Sequence, residues 1–206
     1  KVSKARAKAA PQLASSITQA MQGLGMQGGR FEVALETNDQ PSAHGLEGVV
    51  FLVAGHAGST PRPVGKVASG GELSRIALAI AVTTSQLGSA QTLIFDEVDS
   101  GVGGAVAETV GRLMLQLGLD RQVLAVTHLP QVAACANHHG VVSKQSDAQG
   151  VISQVALVEG EARVSEIARM LGGEKISDTT RAHAREMLQI RHASTSFVRD
   201  ERASSK

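Results

Sequence analysis

Three segments place groups capable of chemistry at the ends of apolar runs. The first, Ser69-Gly70-Gly71-Glu72-Leu73-Ser74-Arg75, opens a helical pattern. Free amides at a helix start and the helix dipole both favour an anion, and glycines let a phosphate come close to the backbone. The Ser69 hydroxyl adds a donor. Taken alone, Ser-Gly-Gly reads equally as a serine N-cap with turn glycines. The second is Thr92-Leu93-Ile94-Phe95-Asp96-Glu97-Val98-Asp99, followed by Ser100-Gly101-Val102-Gly103-Gly104. An apolar strand ending in two carboxylates puts them at the C-terminal edge of a sheet, where α/β proteins bind ligands. Neighbours on a strand point to opposite sides, so Asp96 and Glu97 are expected to differ in role. One can serve Mg²⁺, usually through water. The other can orient and deprotonate an attacking water. Alone, the pair reads as an acidic turn. The third segment, Val123-Leu124-Ala125-Val126-Thr127-His128, again ends an apolar run in a polar group. A histidine there can hydrogen-bond a γ-phosphate and sense its loss, although a lone histidine after a strand is more often a surface residue. The order and spacing of the three segments join them.

These groups need elements to hold them. Leu73, Ile76, Ala77, Ile80 and Ala81 follow the helical period among apolar neighbours, which predicts a buried helix entered through Ser69-Gly70-Gly71. The runs 92–95 and 123–126 are continuous and apolar, typical of parallel strands buried on both faces. A helix is expected between them over Ala105 to Leu117, and another from Pro130. Upstream, Leu13, Ile17, Ala20 and Leu24 line one helix face, ended by Gly23, Gly25, Gly28 and Gly29. Pro11 predicts that residues 1–10 form a separate or kinked piece. Phe31, Val33 and Leu35 alternate as a strand, Val49 to Val53 is a second, and 54–68 reads as a loop. Val141-Val142 and Val151 to Val158 can pair around a turn from Ser146 to Gly150. Val164, Ile167, Ala168 and Leu171 line a helix closed by Gly172-Gly173, and Ser177 is the expected N-cap of another that carries Ala184 and Leu188. A Ser-rich tail, expected to fray, runs from His192. Alternating strands and helices predict an α/β fold, a mainly parallel sheet flanked by helices.

The 206 residues suffice for one domain with a core. Four Phe and neither Trp nor Tyr disfavour a binder that stacks single-stranded bases on rings. The one cysteine, Cys135, has no internal disulfide partner, which fits a reducing cytosol. The longest apolar run, Ile76 to Val82, is too short to span a bilayer. A start at Lys1 and the absence of a signal peptide read as a piece of something longer. Residues 1–30 carry five basic groups and no acid, a stretch that can lie near DNA phosphate or form a solvated helix face. Cys135, His138 and His139 share helical spacing, but structural zinc takes four ligands and no fourth is near. No Gly-x-Ser-x-Gly elbow supports a serine nucleophile.

Together the three segments resemble the signature, the Walker B strand with its D-loop, and the switch histidine of ABC ATPases, in that superfamily's order. Phe-Asp-Glu-Val-Asp is similar to the chromosome-maintenance and repair branch, whereas transporters more often read Asp-Glu-Pro. Lys66 to Ile80, Asp99 to Gly104, Thr127 to Ala133 and Glu166 to Gly173 resemble the RecN family of bacterial DNA repair proteins, which is SMC-like. The resemblance covers roughly residues 24–190. It implies the C-terminal lobe of an ATPase head over 28–191, preceded by the returning end of a coiled-coil arm over 1–27 and followed by a flexible tail over 192–206. It further implies ATP and Mg²⁺ as cofactors, hydrolysis between two heads of a homodimer, DNA ends or overhangs as partner in recombinational double-strand break repair, and a cytoplasmic, nucleoid-associated location. Ser69, Gly70 and Gly71, with Glu72 in the same motif, would meet the γ-phosphate of ATP on the opposite head. Asp96 would support Mg²⁺, Glu97 would be the catalytic base, Asp99 would couple the sites across the dimer, and His128 would be the phosphate switch.

A phosphate-cradling loop, G-x-x-x-x-G-K-[ST], is missing. Gly65-Lys66-Val67 lacks the hydroxyl residue, and Thr60 stands where the first glycine belongs. The family carries that loop in an N-terminal lobe, so this chain alone is expected to bind ATP weakly or not at all. Two other readings stand beside this one: a lobe that dimerises and clamps DNA without hydrolysis, and a transporter ATPase subunit. The Asp-Glu-Val-Asp wording and the helical arm oppose the transporter.

Overall fold

A computed structural model describes residues 1–67, 69–85, 90–147, 150–173 and 176–189. Helix α1 (Val2–Gln22) leads into a hairpin of β1 (Arg30–Ser42) and β2 (Gly45–Ala54), to which β3 (Arg62–Pro63) adds a short third strand. A 3-10 turn (Val64–Lys66) precedes α2 (Gly70–Thr83). Next come β4 (Thr92–Phe95), α3 (Gly104–Leu117), β5 (Gln122–Ala125) and α4 (Pro130–Cys135). The chain then forms β6 (His139–Asp147), β7 (Gly150–Val158), α5 (Gly160–Gly172) and a last helix, α6, over 178–189.

The one parallel pairing among the described residues is β4 with β5, in register from Thr92↔Gln122 to Phe95↔Ala125. The sheets β1-β2-β3 and β6-β7 are antiparallel, so the parallel share of the fold is smaller than the apolar runs predict. Nor are β4 and β5 buried on both faces. Ile94 is 70% exposed and Val126 64% exposed, because no layer among the described residues covers that side.

One core gathers buried residues from Ile17 to Val132. Ile17 and Met21 of α1, Leu24, Met26, Phe31, Val53, Ile76 and Leu78 of α2, Phe95, Val98, and Val110 and Met114 of α3 pack together. The last turns of α1 therefore share the core of the residues that follow them. A second cluster gathers Ala133 and Ala134 of α4, Val164 and Ile167 of α5, and Ala184 of α6. Ser177 caps α6 as its position predicts, accepting from the Thr180 amide at 3.1 Å.

Pro11 does not break the first helix, which runs unbroken through it. A proline deletes one helical hydrogen bond, and anchors on both sides outweigh that local loss. On the N-terminal side, Arg6 donates to the Glu47 carbonyl at 3.0 Å and the His44 carbonyl at 2.7 Å. On the C-terminal side, Ile17 and Met21 are fully buried. The glycines expected to end the helix do so, with Gly23 as C-cap and Gly25 and Gly28 at φ of 77° and 73°. Cys135 ends α4 while His138 lies beyond it and His139 opens β6, so the three share no helix face. Among the described residues no cluster of metal-ligating side chains occurs, and no helix is long and apolar enough to cross a membrane. The expected tail over 192–206 lies outside the described residues, as does the tip of the Ser146–Gly150 turn.

Candidate functional site

The parallel pairing of β4 and β5 aligns their C-terminal ends, and the Val126 amide donates to the Phe95 carbonyl at 3.0 Å just past them. Residues 96–100 and 126–129 therefore leave the sheet side by side. The start of α2 lies against the first of these segments. Ser74 Oγ donates to the Asp96 carbonyl at 2.6 Å, and Arg75 Nη1 donates to the Ser100 carbonyl at 2.7 Å. All three segments singled out by residue type meet at this one edge.

Ser69 is exposed and caps α2, its hydroxyl accepting from the Glu72 amide at 3.3 Å. Gly70 and Gly71 form the first turn and serve different needs. A Cβ on Gly70 would lie 2.5 Å from Glu97 Oε2, so the Glu97 carboxylate rests against the open start of α2. A Cβ on Gly71 would lie 2.9 Å from Ser100 Cβ and 3.0 Å from its carbonyl oxygen. The first neighbour is the free end of a side chain, the second a fixed backbone. Gly71→Ala is therefore expected to lower stability by about 1–3 kcal/mol through overpacking. Gly70→Ala should cost little, and denaturant midpoints of the two variants test the contrast; equal midpoints would refute it. Glu72 is half-buried and turned elsewhere, since a Cβ on Gly55 would sit 3.6 Å from its Oε2.

Strand alternation does not separate Asp96 from Glu97, because β4 ends at Phe95. Backbone conformation separates them instead. Among the described residues Glu97 is the one non-glycine residue with positive φ, at 55°. Such backbone costs about 1–3 kcal/mol and persists where surroundings over-determine it. Here buried Val98 and Asp99 follow it, and its own amide donates to Asp96 Oδ1 at 2.9 Å. Both carboxylates stay exposed at the sheet edge.

Asp99, to which the resemblance gives a role across a dimer, is 1% exposed. Its Oδ2 accepts from Thr127 Oγ1 at 2.5 Å, the His128 amide at 3.1 Å and the Leu129 amide at 3.3 Å. The imidazole of His128 is itself exposed, with Nδ1 3.4 Å from Asp99 Oδ2.

Residue types in the sequence did not single out Arg75 or Thr127 as site residues. Arg75 is 7% exposed, and burial pushes its guanidinium below the ordinary arginine range, an effect the Glu72 carboxylate partly opposes. A lone cation beside the apolar run of α2 was the available signal, since such a charge must find an acceptor.

The chain is 44% identical to DNA repair protein RecN of Vibrio cholerae over 192 residues, 91% of this chain and 34% of that protein. It is 46% identical to DNA repair protein RecN of Xylella fastidiosa over 191 residues, 92% of this chain and 34% of that protein. No family model matches it. In fold it is similar to the Smc head domain with coiled coil and joint from Pyrococcus yayanosii, at a TM-score of 0.56 and 22% identity over 75% of this chain and 28% of that one. A structure from work on ATP-driven dimerisation and DNA-stimulated activation of SMC ATPases superposes at a TM-score of 0.52 and 18% identity, covering 85% of this chain and all of that one. The fold is thus that of part of an SMC head domain, and over nine-tenths of its length the chain matches RecN sequences, of which it spans about one third, corresponding to their C-terminal part.

Proposed function

We propose that this chain is the C-terminal lobe of an ATP-hydrolysing head of a DNA repair protein, contributing to nucleotide sites formed between two heads. The observation that carries the reading is the meeting of residues 69–75, 96–100 and 126–129 at the C-terminal edge of a parallel strand pair. That edge is where α/β folds take ligands.

The residues present suit a nucleotide with its cation. An exposed acid pair fits a hydrated Mg²⁺, which keeps most of its water shell. The bare first turn of α2, with no Cβ at Gly70 or Gly71, fits a phosphate oxygen. Bound Mg²⁺ would offset charge on the phosphates. Asp96 would hold the cation through water, and Glu97 would orient a water and accept its proton. The Glu97 carboxylate rests at Gly70, and its exposure lets it turn toward the sheet edge for that task. His128, exposed on the neighbouring turn, would contact the terminal phosphate, while Ser69, Gly70 and Gly71 would face a nucleotide held by a second head.

The uncovered faces of β4 and β5 support an incomplete head. A two-stranded parallel sheet needs both faces covered, and exposed Ile94, Leu124 and Val126 leave an apolar surface on which an N-terminal lobe carrying the phosphate-cradling loop can close the fold. By similarity to RecN, the assembled protein would act on DNA ends or overhangs in recombinational repair. Isothermal titration and turnover assays test the reading. The chain alone is expected not to bind Mg-ATP at micromolar affinity, and joining it to the N-terminal lobe is expected to produce hydrolysis. Micromolar binding by the chain alone would contradict an incomplete site. A joined, folded head without turnover would favour a clamp that does not hydrolyse.

A further inference from the structure

We infer that Asp99 is a positioning residue for His128, acting inside its own chain by fixing the backbone turn 127–129 from which the imidazole projects. The inference rests on the function proposed above for what His128 does, though not for where His128 is held.

A carboxylate buried to 1% exposure is costly unless donors meet its charge. Every hydrogen bond that the Asp99 carboxylate accepts among the described residues comes from one segment, 28–30 positions away. The Thr127 hydroxyl and two consecutive amides, of His128 and Leu129, converge on Oδ2. Successive amides aimed at a single oxygen impose a defined backbone shape. Thr127 Oγ1 tightens the turn by also accepting from the Leu129 amide at 3.1 Å. On its far side the turn is tied to buried Pro130, whose restricted φ opens α4. The His128 ring is exposed, so its direction comes from this clamped backbone and from the approach of Nδ1 to Oδ2 at 3.4 Å.

The geometry has a mechanistic consequence. Asp96, Glu97 and Asp99 sit on one short turn, pinned to α2 by Ser74 and Arg75. The acid end of β4 and the histidine end of β5 are thereby set at a fixed spacing. A reacting arrangement displaced by 1 Å can lose about 10²-fold in rate.

A double-mutant cycle in the full-length protein tests the assignment with Asp99→Ala, Asp99→Asn, His128→Ala and the Asp99→Ala/His128→Ala pair. Asp99→Ala is expected to lower kcat by about 10- to 100-fold with little change in the KM for ATP. It should add almost nothing in the His128→Ala background, because the two residues then act as one unit. Asp99→Asn keeps an acceptor oxygen for the turn and should recover most of the rate. Equal fold-losses in both backgrounds would overturn the inference and indicate that Asp99 works elsewhere, for instance across a dimer.

A second readout does not need turnover. Carbethoxylation of His128 by diethyl pyrocarbonate, followed by peptide mass spectrometry with exposed His183 as internal reference, should change in rate in Asp99→Asn and more in Asp99→Ala. An unchanged ratio in both variants overturns the positioning role. If Asp99→Ala folds poorly, Asp99→Asn alone decides it, because Asn keeps the turn but removes the carboxylate that His128 Nδ1 approaches at 3.4 Å, and an unchanged ratio there overturns the role. A wild-type protein without ATP turnover, but with the carbethoxylation response intact, would remove the proposed function and leave the positioning standing.

Discussion

Full-length protein carrying Glu97→Gln is expected to lose about 10²- to 10⁴-fold in ATP turnover, the usual contribution of a positioned general base. Glutamine keeps the shape and exposure of the side chain but cannot take a proton from water. The left-handed backbone at φ 55° is held by buried Val98 and Asp99, so the substitution leaves the turn in place. The groups proposed to hold phosphate, at Ser69 to Gly71 and His128, are untouched. Binding should therefore survive while cleavage fails, and ATP-dependent head pairs should accumulate, visible by size-exclusion chromatography or crosslinking. Turnover at the wild-type rate would remove Glu97 as the base and would favour a lobe that clamps without hydrolysis.

Arg163→Ala is expected to destabilise the protein by about 2–4 kcal/mol, since each hydrogen bond from a charged donor to a buried carbonyl contributes about 1.5–3 kcal/mol before relaxation. Arg163 projects from α5 into the end of α4. Its Nη2 donates to the carbonyls of Ala136 at 2.7 Å, Ala133 at 3.1 Å and Ala134 at 3.4 Å, and Nη1 to that of Asn137 at 3.4 Å. Helix α4 runs only from Pro130 to Cys135, so its closing carbonyls meet few later amides, that of Ala133 taking the Ala136 amide at 3.2 Å. A buried cation at that end also meets the negative pole of the helix. The denaturant midpoint of the full-length protein checks the cost. Arg163→Lys should recover only part of it, because an ammonium lacks the planar fork that reaches several carbonyls. The neighbouring imidazole of His139 gives a local readout. Burial first, and then the Arg163 charge, hold it below the ordinary histidine value. Removing Arg163 abolishes the second cause, and the His139 pKa should rise in an NMR titration. A midpoint like that of the wild type, with an unmoved His139, would show that α4 is held by its apolar contacts alone.

Both predictions concern residues at the ends of short elements, where reading the sequence succeeds unevenly. Helices α2 and α3, strands β4 and β5 and the end of α5 were legible to within a residue or two, because apolar period and cap residues are local signals, whereas α5 starts at Gly160, four residues before its first periodic residue, Val164. Ser69 before an apolar helix and Gly173 after one mark their boundaries by conformational preference. The β6-β7 hairpin was legible for the same reason. The full reach of β1 and β2 was not, since their outer halves, around Thr37 to Glu47, carry few apolar residues and pair only because the hairpin continues.

By itself the sequence determined which residue types stand at the ends of which elements: an anion-suited helix start at Ser69, two acids after Phe95 and a histidine after Thr127. Those depend on spacing along the chain, and spacing is visible in one dimension. Tertiary structure decided where each side chain points. It turned Asp99 inward to Thr127, set Arg75 under Ser100, carried α1 unbroken through Pro11 and left one face of β4 and β5 exposed. Each of these outcomes hangs on groups far apart in sequence, or on a covering layer that the described residues do not supply. Their energies come from burial and from donors meeting acceptors in space, which no local period records.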